Sequence, residues 1–165
     1  MWPADIEEKA RSIISDLTAR GQRLATAESC TGGLIAAVLT EIAGSSSVMD
    51  RGFVTYSNEA KIDMLGVKAA TLAAQGAVSR ETALEMAQGA LSHSKADFAV
   101  AVTGIAGPGG GSAEKPVGLV HLAAAGRQGG VRHREMHYGD IGRNAVRLAT
   151  VMTALELIEE LCRRQ

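Results

Sequence analysis

The apolar positions divide the chain into helical and extended stretches. Ile6, Ala10, Ile13, Ile14 and Leu17 recur at helical spacing on one face, and Gly21 follows as a stop. Residues 23–28 read as a short strand. After Ser29-Cys30-Thr31-Gly32-Gly33, helical spacing returns at Leu34, Ile35, Val38, Leu39 and Ile42 and ends at Gly44. Residues 48–56, rich in β-branched and aromatic side chains, predict a second strand. Ser57-Asn58 offers an N-cap for a short helix carrying Lys61, Met64 and Leu65, with Gly66 at its end. Ser79 caps a longer helix to His93, with Leu84, Ala87 and Leu91 inward.

The continuous apolar run at residues 98–102 predicts a strand buried on both faces, running into Thr103-Gly104. A Gly-rich loop occupies residues 104–116. Residues 117–125 and 131–138 then read as strands of a hairpin joined through Gly126-Arg-Gln-Gly-Gly130. Asp140 is placed to cap a last helix with Ile141, Ala145, Leu148, Met152, Leu155, Ile158 and Cys162 on its buried stripe. Strand–helix units followed by a hairpin and a helix predict a three-layer α/β/α sandwich with a mixed β-sheet, residues 1–165 forming a single domain.

Composition narrows the function classes. Hydrophobic residues at 46% and charged residues at 21% fit a globular chain of 165 residues rather than a disordered one. Seventeen Lys+Arg against 18 Asp+Glu leave a net charge of −1, and aromatics are 3%, so neither nucleic acid nor an anionic membrane is an expected partner. No apolar run approaches the roughly 18–20 residues that span a bilayer, and the acidic N-terminus lacks a signal-peptide core; a cytoplasmic protein is expected. Cys30 and Cys162 are too few and too far apart in sequence for a disulfide framework or a cysteine zinc site. On a strand, His133 and His137 would stand about 13 Å apart, too far for one zinc. The loop Gly104-Ile-Ala-Gly-Pro-Gly-Gly-Gly111 lacks the Gly-Lys-Ser/Thr ending of a Walker loop, and no Gly-x-Gly-x-x-Gly follows the first strand. Neither metal nor cofactor is expected. The 28 Ala and 19 Gly suit helices lying close on a sheet and backbone approaching a ligand.

Ligands of open α/β sheets bind beyond the carboxyl ends of the strands. Ser29 follows one predicted strand, Tyr56 ends another with Lys61 a turn beyond, and Thr103-Gly104 end a third, so these groups should converge on one crevice. Ser29 has two readings: an N-cap, or a nucleophile with N–H groups near Gly32 and Gly33 for an oxyanion or phosphate. A serine needs a base. His93, His121, His133 and His137 have no matching position, which leaves a Ser-His-Asp triad unsupported. Lys61 serves as base only if desolvation keeps it neutral; the plain alternative is a solvated helix lysine. Tyr56 either hydrogen-bonds that pair or caps the core. Cys30 is a rival nucleophile or an inert buried thiol. The Gly104–Gly111 loop could wrap a phosphate with its amides. Arg143 and Arg147 either bind an anion or form surface ion pairs, the commoner arrangement.

Four segments, Thr26-Ala-Glu-Ser-Cys-Thr-Gly-Gly33, Gly52-Phe-Val-Thr-Tyr-Ser-Asn-Glu-Ala-Lys61, Gly76-Ala-Val-Ser79 and Thr103-Gly-Ile-Ala-Gly-Pro-Gly109, resemble in this order the CinA C-terminal-domain family, over roughly residues 6–161. Its enzymatic members are nicotinamide-nucleotide amidases. The resemblance implies an α/β/α fold and hydrolysis of the carboxamide of nicotinamide mononucleotide, yielding nicotinic acid mononucleotide and ammonia. Residue by residue, Ser29 matches the nucleophile, Lys61 the general base, Tyr56 the tyrosine beside them and Thr103 the active-site threonine. Substrate contacts are then expected from the turn Cys30, Thr31, Gly32 and Gly33 at the oxyanion, and from Gly104, Gly107 and Arg143 at the ribosyl phosphate. Longer members add an N-terminal domain resembling molybdopterin-binding proteins; no counterpart is read here, and its activity is not expected. The implied partner is a small-molecule nucleotide, and an Ala-rich helical surface is compatible with a homodimer. The alternative is a non-catalytic module sensing a phosphorylated pyridine nucleotide or related metabolite. Ser29, Tyr56, Lys61 and Thr103 together favour catalysis, because a binder has no need of a Ser/Lys pair.

Overall fold

The computed structural model describes residues 2–164. Helix α1 (Ala4–Arg20), strand β1 (Leu24–Glu28) and helix α2 (Leu34–Glu41) are followed by a 3₁₀ turn (Ser45–Ser47) and strand β2 (Met49–Val54). Helices α3 (Asn58–Leu65), α4 (Ala69–Gln75) and α5 (Arg80–Ser92) come next, then strands β3 (Phe98–Gly104), β4 (Leu119–Gly126) and β5 (Val131–His137), and finally helix α6 (Arg143–Cys162). The strands form one sheet in the order β2-β1-β3-β4-β5. β2, β1 and β3 are parallel, whereas β4 and β5 run antiparallel to their neighbours, which makes the sheet mixed.

The pleat sorts side chains by size. One face carries Leu24, Phe98, Val100, Val102, Val120 and Leu122 and is covered by α1, α2 and α6. Alternate residues point the other way, and on that face Ala25, Ala27, Ala99, Ala101, Ala123 and Ala125 meet α3, α4 and α5. Helix α5 answers with Ala83, Ala87, Gly89 and Ala90. So close is the packing that a Cβ on Gly89 would stand 2.0 Å from the Leu65 carbonyl oxygen of α3. The alanine content is thus spent on bringing α5, and α3 with it, down onto the sheet.

Several expected boundaries shift. The second strand covers Met49–Val54 rather than residues 48–56, because Val48 closes the 3₁₀ turn and the chain beyond Thr55 leaves for α3. Gly118, at φ +89°, turns the chain before β4, which starts at Leu119, and β5 stops at His137. Asp140 does not cap α6: Gly139 and Gly142 hold positive φ, and the helix starts at Arg143 with Gly142 as N-cap. Ile141 and Ala145 are consequently exposed and Leu148 and Met152 half-buried, while Leu155, Ile158 and Cys162 lie on the buried stripe as expected. Leu84 is half-buried, with Met86 taking its place in the core. Helix α4 had no apolar periodicity strong enough to be read; only Leu72 of it is buried.

Candidate active site

The site begins at the end of β1. Glu28 is 1% exposed, and a charge so buried persists only with partners. Its carboxylate accepts from Thr31 Oγ1 at 2.7 Å, Ile35 N at 2.8 Å and Ala36 N at 3.0 Å. It thereby takes up N–H groups that the first turn of α2 leaves unpaired. Between them the chain reverses through Gly32 and Gly33 at φ +59° and +104°, a region closed to most side chains. Ser29 sits at the head of this turn, its N–H on Val102 O of β3 at 3.1 Å and its carbonyl accepting from Gly32 N at 3.0 Å. Ser29 is not the N-cap of α2; Gly33 is. The Ser29 hydroxyl is free for other chemistry.

Lys61 supplies it. Ser57 Oγ accepts from Ala60 N at 3.0 Å and starts α3 where the sequence places it. From the first turns of that helix Lys61 points inward, 1% exposed. Its Nζ lies 3.0 Å from Ser29 Oγ and donates to Thr55 O at 2.9 Å. The salt bridges among the described residues do not include it. Burial therefore lowers its pKa below the usual lysine value, with only the Cys30 side chain acting the other way. The solvated-lysine reading is excluded. Burial also pushes the Cys30 thiol up to about 12, so at neutral pH it is an inert neighbour rather than a nucleophile.

A cavity of about 230 Å³ opens over the pair. Ser29 and Cys30 come from the β1 turn, and Tyr56, Asn58 and Lys61 from the segment after β2. Thr103, Gly104 and Ala106 come from the end of β3, so the three parallel strands converge as the sequence predicts. Ala77 and Val78 close one wall, tied by the Thr103 hydroxyl, which donates to Ala77 O at 2.8 Å. Gly104 must be small: a Cβ there would meet Val120 Cγ2 at 2.6 Å.

Arg143 spans the rim, donating to Gly107 O at 2.9 Å and to Tyr56 Oη at 3.1 Å. Tyr56 is 60% exposed. It neither caps the core nor, among the described residues, hydrogen-bonds Ser29 or Lys61. Thr31, Gly32, Gly33 and Gly107 do not line the cavity. Arg147 donates Nε to Cys30 O at 3.1 Å and Nη2 to Thr31 O at 3.0 Å, and among the described residues neither arginine forms the surface ion pair that the sequence favoured. Sequence reasoning does not single out Glu28, Ala77 or Val78; it offers Asn58 only as part of an N-cap and Arg147 only as an anion ligand or a surface ion pair. Glu28, Asn58, Ala77 and Val78 all fall within the segments that resemble the family, with no catalytic or binding function attached to them there. The His121 and His133 rings stack, with Nδ1 and Nε2 3.0 Å apart, and burial lowers the pKa of both. Among the described residues no group of three or more His, Cys, Asp or Glu is placed to hold a metal.

The family model for the CinA C-terminal domain matches residues 6–162. The nicotinamide-nucleotide amidohydrolase PncC of Escherichia coli K12 is 50% identical over 159 residues, which is 96% of this chain and 95% of that protein. The solved structure of the competence/damage inducible protein CihA from Agrobacterium tumefaciens is 70% identical, covers 98% of either chain and superposes with a TM-score of 0.97. That of the competence damage-inducible protein A from Klebsiella pneumoniae MGH 78578 is 41% identical, covers 97% of this chain and 99% of that one, and has a TM-score of 0.91.

Proposed function

The chain belongs to the CinA C-terminal-domain family, and on that premise we propose that it hydrolyses the carboxamide of nicotinamide mononucleotide to nicotinic acid mononucleotide and ammonia, with Ser29 as nucleophile and Lys61 as base. The observation that carries this reading is the buried Lys61 Nζ 3.0 Å from Ser29 Oγ. A binding module gains nothing from burying a lysine against a serine, whereas an acyl-transfer site needs its base there.

Neutral Lys61 accepts the Ser29 proton as Oγ attacks the amide carbon. The oxyanion is assigned to the backbone N–H of Cys30, the residue of the Cys30–Gly33 turn that lines the cavity; such a donor contributes about 3–4 kcal/mol at the transition state. Lys61 passes its proton to the amide nitrogen, which leaves as ammonia from the acyl-enzyme. A water molecule then attacks the ester carbon, gives a proton to Lys61, and Ser29 Oγ leaves and recovers that proton. The one proton of Thr103 Oγ1 is committed to Ala77 O, so this hydroxyl meets substrate as an acceptor, matched to the amide NH₂. The cavity of about 230 Å³ is below the roughly 300–1,000 Å³ of pockets that enclose a whole ligand. It suits the pyridine carboxamide, leaving the ribosyl phosphate outside at the Arg143 rim.

The test is release of ammonia and nicotinic acid mononucleotide from nicotinamide mononucleotide, with Ser29→Ala and Lys61→Met alongside. Wild-type turnover and a loss of about 10⁴-fold or more in either variant are expected. Saturable binding of the nucleotide without turnover would make the protein a sensor instead.

A further inference from the structure

Two charged side chains outside the cavity lining hold the nucleophile turn, one through its donors and the other through its acceptors. Glu28 takes the Thr31 hydroxyl and the Ile35 and Ala36 N–H groups. Arg147, one turn into α6, offers Nε to Cys30 O and Nη2 to Thr31 O. Thr31 is gripped from both, its hydroxyl by the anion and its carbonyl by the cation. Ser29 O accepts from Gly32 N, and Leu34 N also reaches Thr31 O at 3.2 Å, so every carbonyl from Ser29 to Thr31 has a donor. Neither charge belongs to a salt bridge among the described residues. Arg147 thus spends its fork on two successive backbone carbonyls.

We propose that Arg147 is a positioning residue for the hydrolysis: with Glu28 as its counterpart, its guanidinium fixes the Ser29–Gly33 turn and hence the direction of Ser29 Oγ. The proposal rests on the reading of Ser29 as nucleophile. A planar fork can bridge two carbonyls, whereas a lysine ammonium, a single point charge on a flexible stem, holds one of them less exactly. Among the described residues Arg147 hydrogen-bonds backbone carbonyls alone and does not line the cavity, so it acts on the geometry of attack and not on the affinity for the nucleotide. This separates it from Arg143, which stands on the open rim.

The experiment measures kcat and KM for ammonia release by the wild type, Arg147→Met and Arg147→Lys. In parallel, without nucleotide, it follows the rate at which a fluorophosphonate labels Ser29, read by intact mass. Arg147→Met should lose about 100-fold in kcat, the scale of a misplaced reacting group, with KM unchanged. Labelling should slow in step, and Arg147→Lys should recover part of both. A raised KM at wild-type kcat would make Arg147 an anion ligand and overturn the proposal, as would wild-type values throughout. Should Arg147→Met lose its circular dichroism, Arg147→Lys decides, and wild-type kcat and labelling in it would overturn the proposal. If the wild type is labelled at Ser29 but releases no ammonia, the substrate assignment fails while the labelling arm still judges Arg147.

Discussion

Lys61 concentrates the conflict between stability and chemistry in one side chain. Burial lowers the Lys61 pKa, so between the folded and the ordinary lysine value the folded chain binds fewer protons than the unfolded one. Stability therefore rises with pH between the folded value and the ordinary lysine value, and the full penalty applies below that window. Lys61→Met keeps the volume and removes the penalty, so the variant should be inactive yet melt about 2–4 °C higher at neutral pH. A lower melting temperature would mean that the bonds to Ser29 and Thr55 outweigh the desolvation. The same shift governs rate: wild-type kcat/KM should climb with pH as Lys61 loses its proton and fall away on the acid side, where the protonated amine cannot act as base. A flat profile through that limb would take the base role from Lys61. The two thiols give a contrasting expectation. With Cys30 and Cys162 both pushed to about 12 by burial, iodoacetamide at neutral pH should modify neither in the native protein and leave ammonia release intact; rapid inactivation with Cys30 alkylated would return that residue as a nucleophile.

Among the elements, the contact between α3 and α5 decides whether Lys61 reaches Ser29. Helix α3 has only eight residues and a weak apolar face, so its position is set from outside. Ser57 fixes its start, and α5 fixes its end through the approach of Gly89 to Leu65. Gly89→Ala tests this. The substitution gains about 1 kcal/mol of helix propensity, but a Cβ 2.0 Å from Leu65 O forces the two helices apart at about 1–3 kcal/mol. A net loss of stability should appear in urea melts, together with reduced kcat, because α3 carries Lys61, the proposed base. A stabilised and fully active variant would show that α3 has room to move. The short helix was readable from its caps, Ser57 and Gly66; its depth against the sheet was not, because that depends on glycine and alanine on α5, beyond an intervening helix.

At the scale of the molecule, the site exists because three parallel strands end side by side while their loops come from residues 29–33, 55–61 and 103–106. Such a composite cavity binds only in the folded chain. Nicotinamide mononucleotide added to Ser29→Ala at about 100 times its dissociation constant should stabilise it by about 2.7 kcal/mol, or about 5–11 °C in melting temperature. No shift at saturating nucleotide would point to another ligand for this cavity. The alanine-rich face of the sheet and the rim arginine both belong to this scale, since each has meaning only against a partner from a distant part of the chain.

The sequence alone determined what depends on neighbours along the chain. Apolar periodicity, β-branched runs and capping residues located every strand and all helices except α4, and strand order in sequence implied that Ser29, Lys61 and Thr103 would meet. Its errors at Asp140 and Leu84 arose where local preference met a competing constraint: glycines at positive φ before α6, and a helix face rotated by packing. What only the tertiary structure decided are the states of the side chains. Burial turned Lys61 from an ordinary helix cation into a base candidate and Cys30 into a spectator. The fold likewise directed Arg143 to the rim and Arg147 to the turn, although the two stand four residues apart on one helix. Charge state and contact are properties of the surroundings, and those are assembled from segments that the chain order keeps apart.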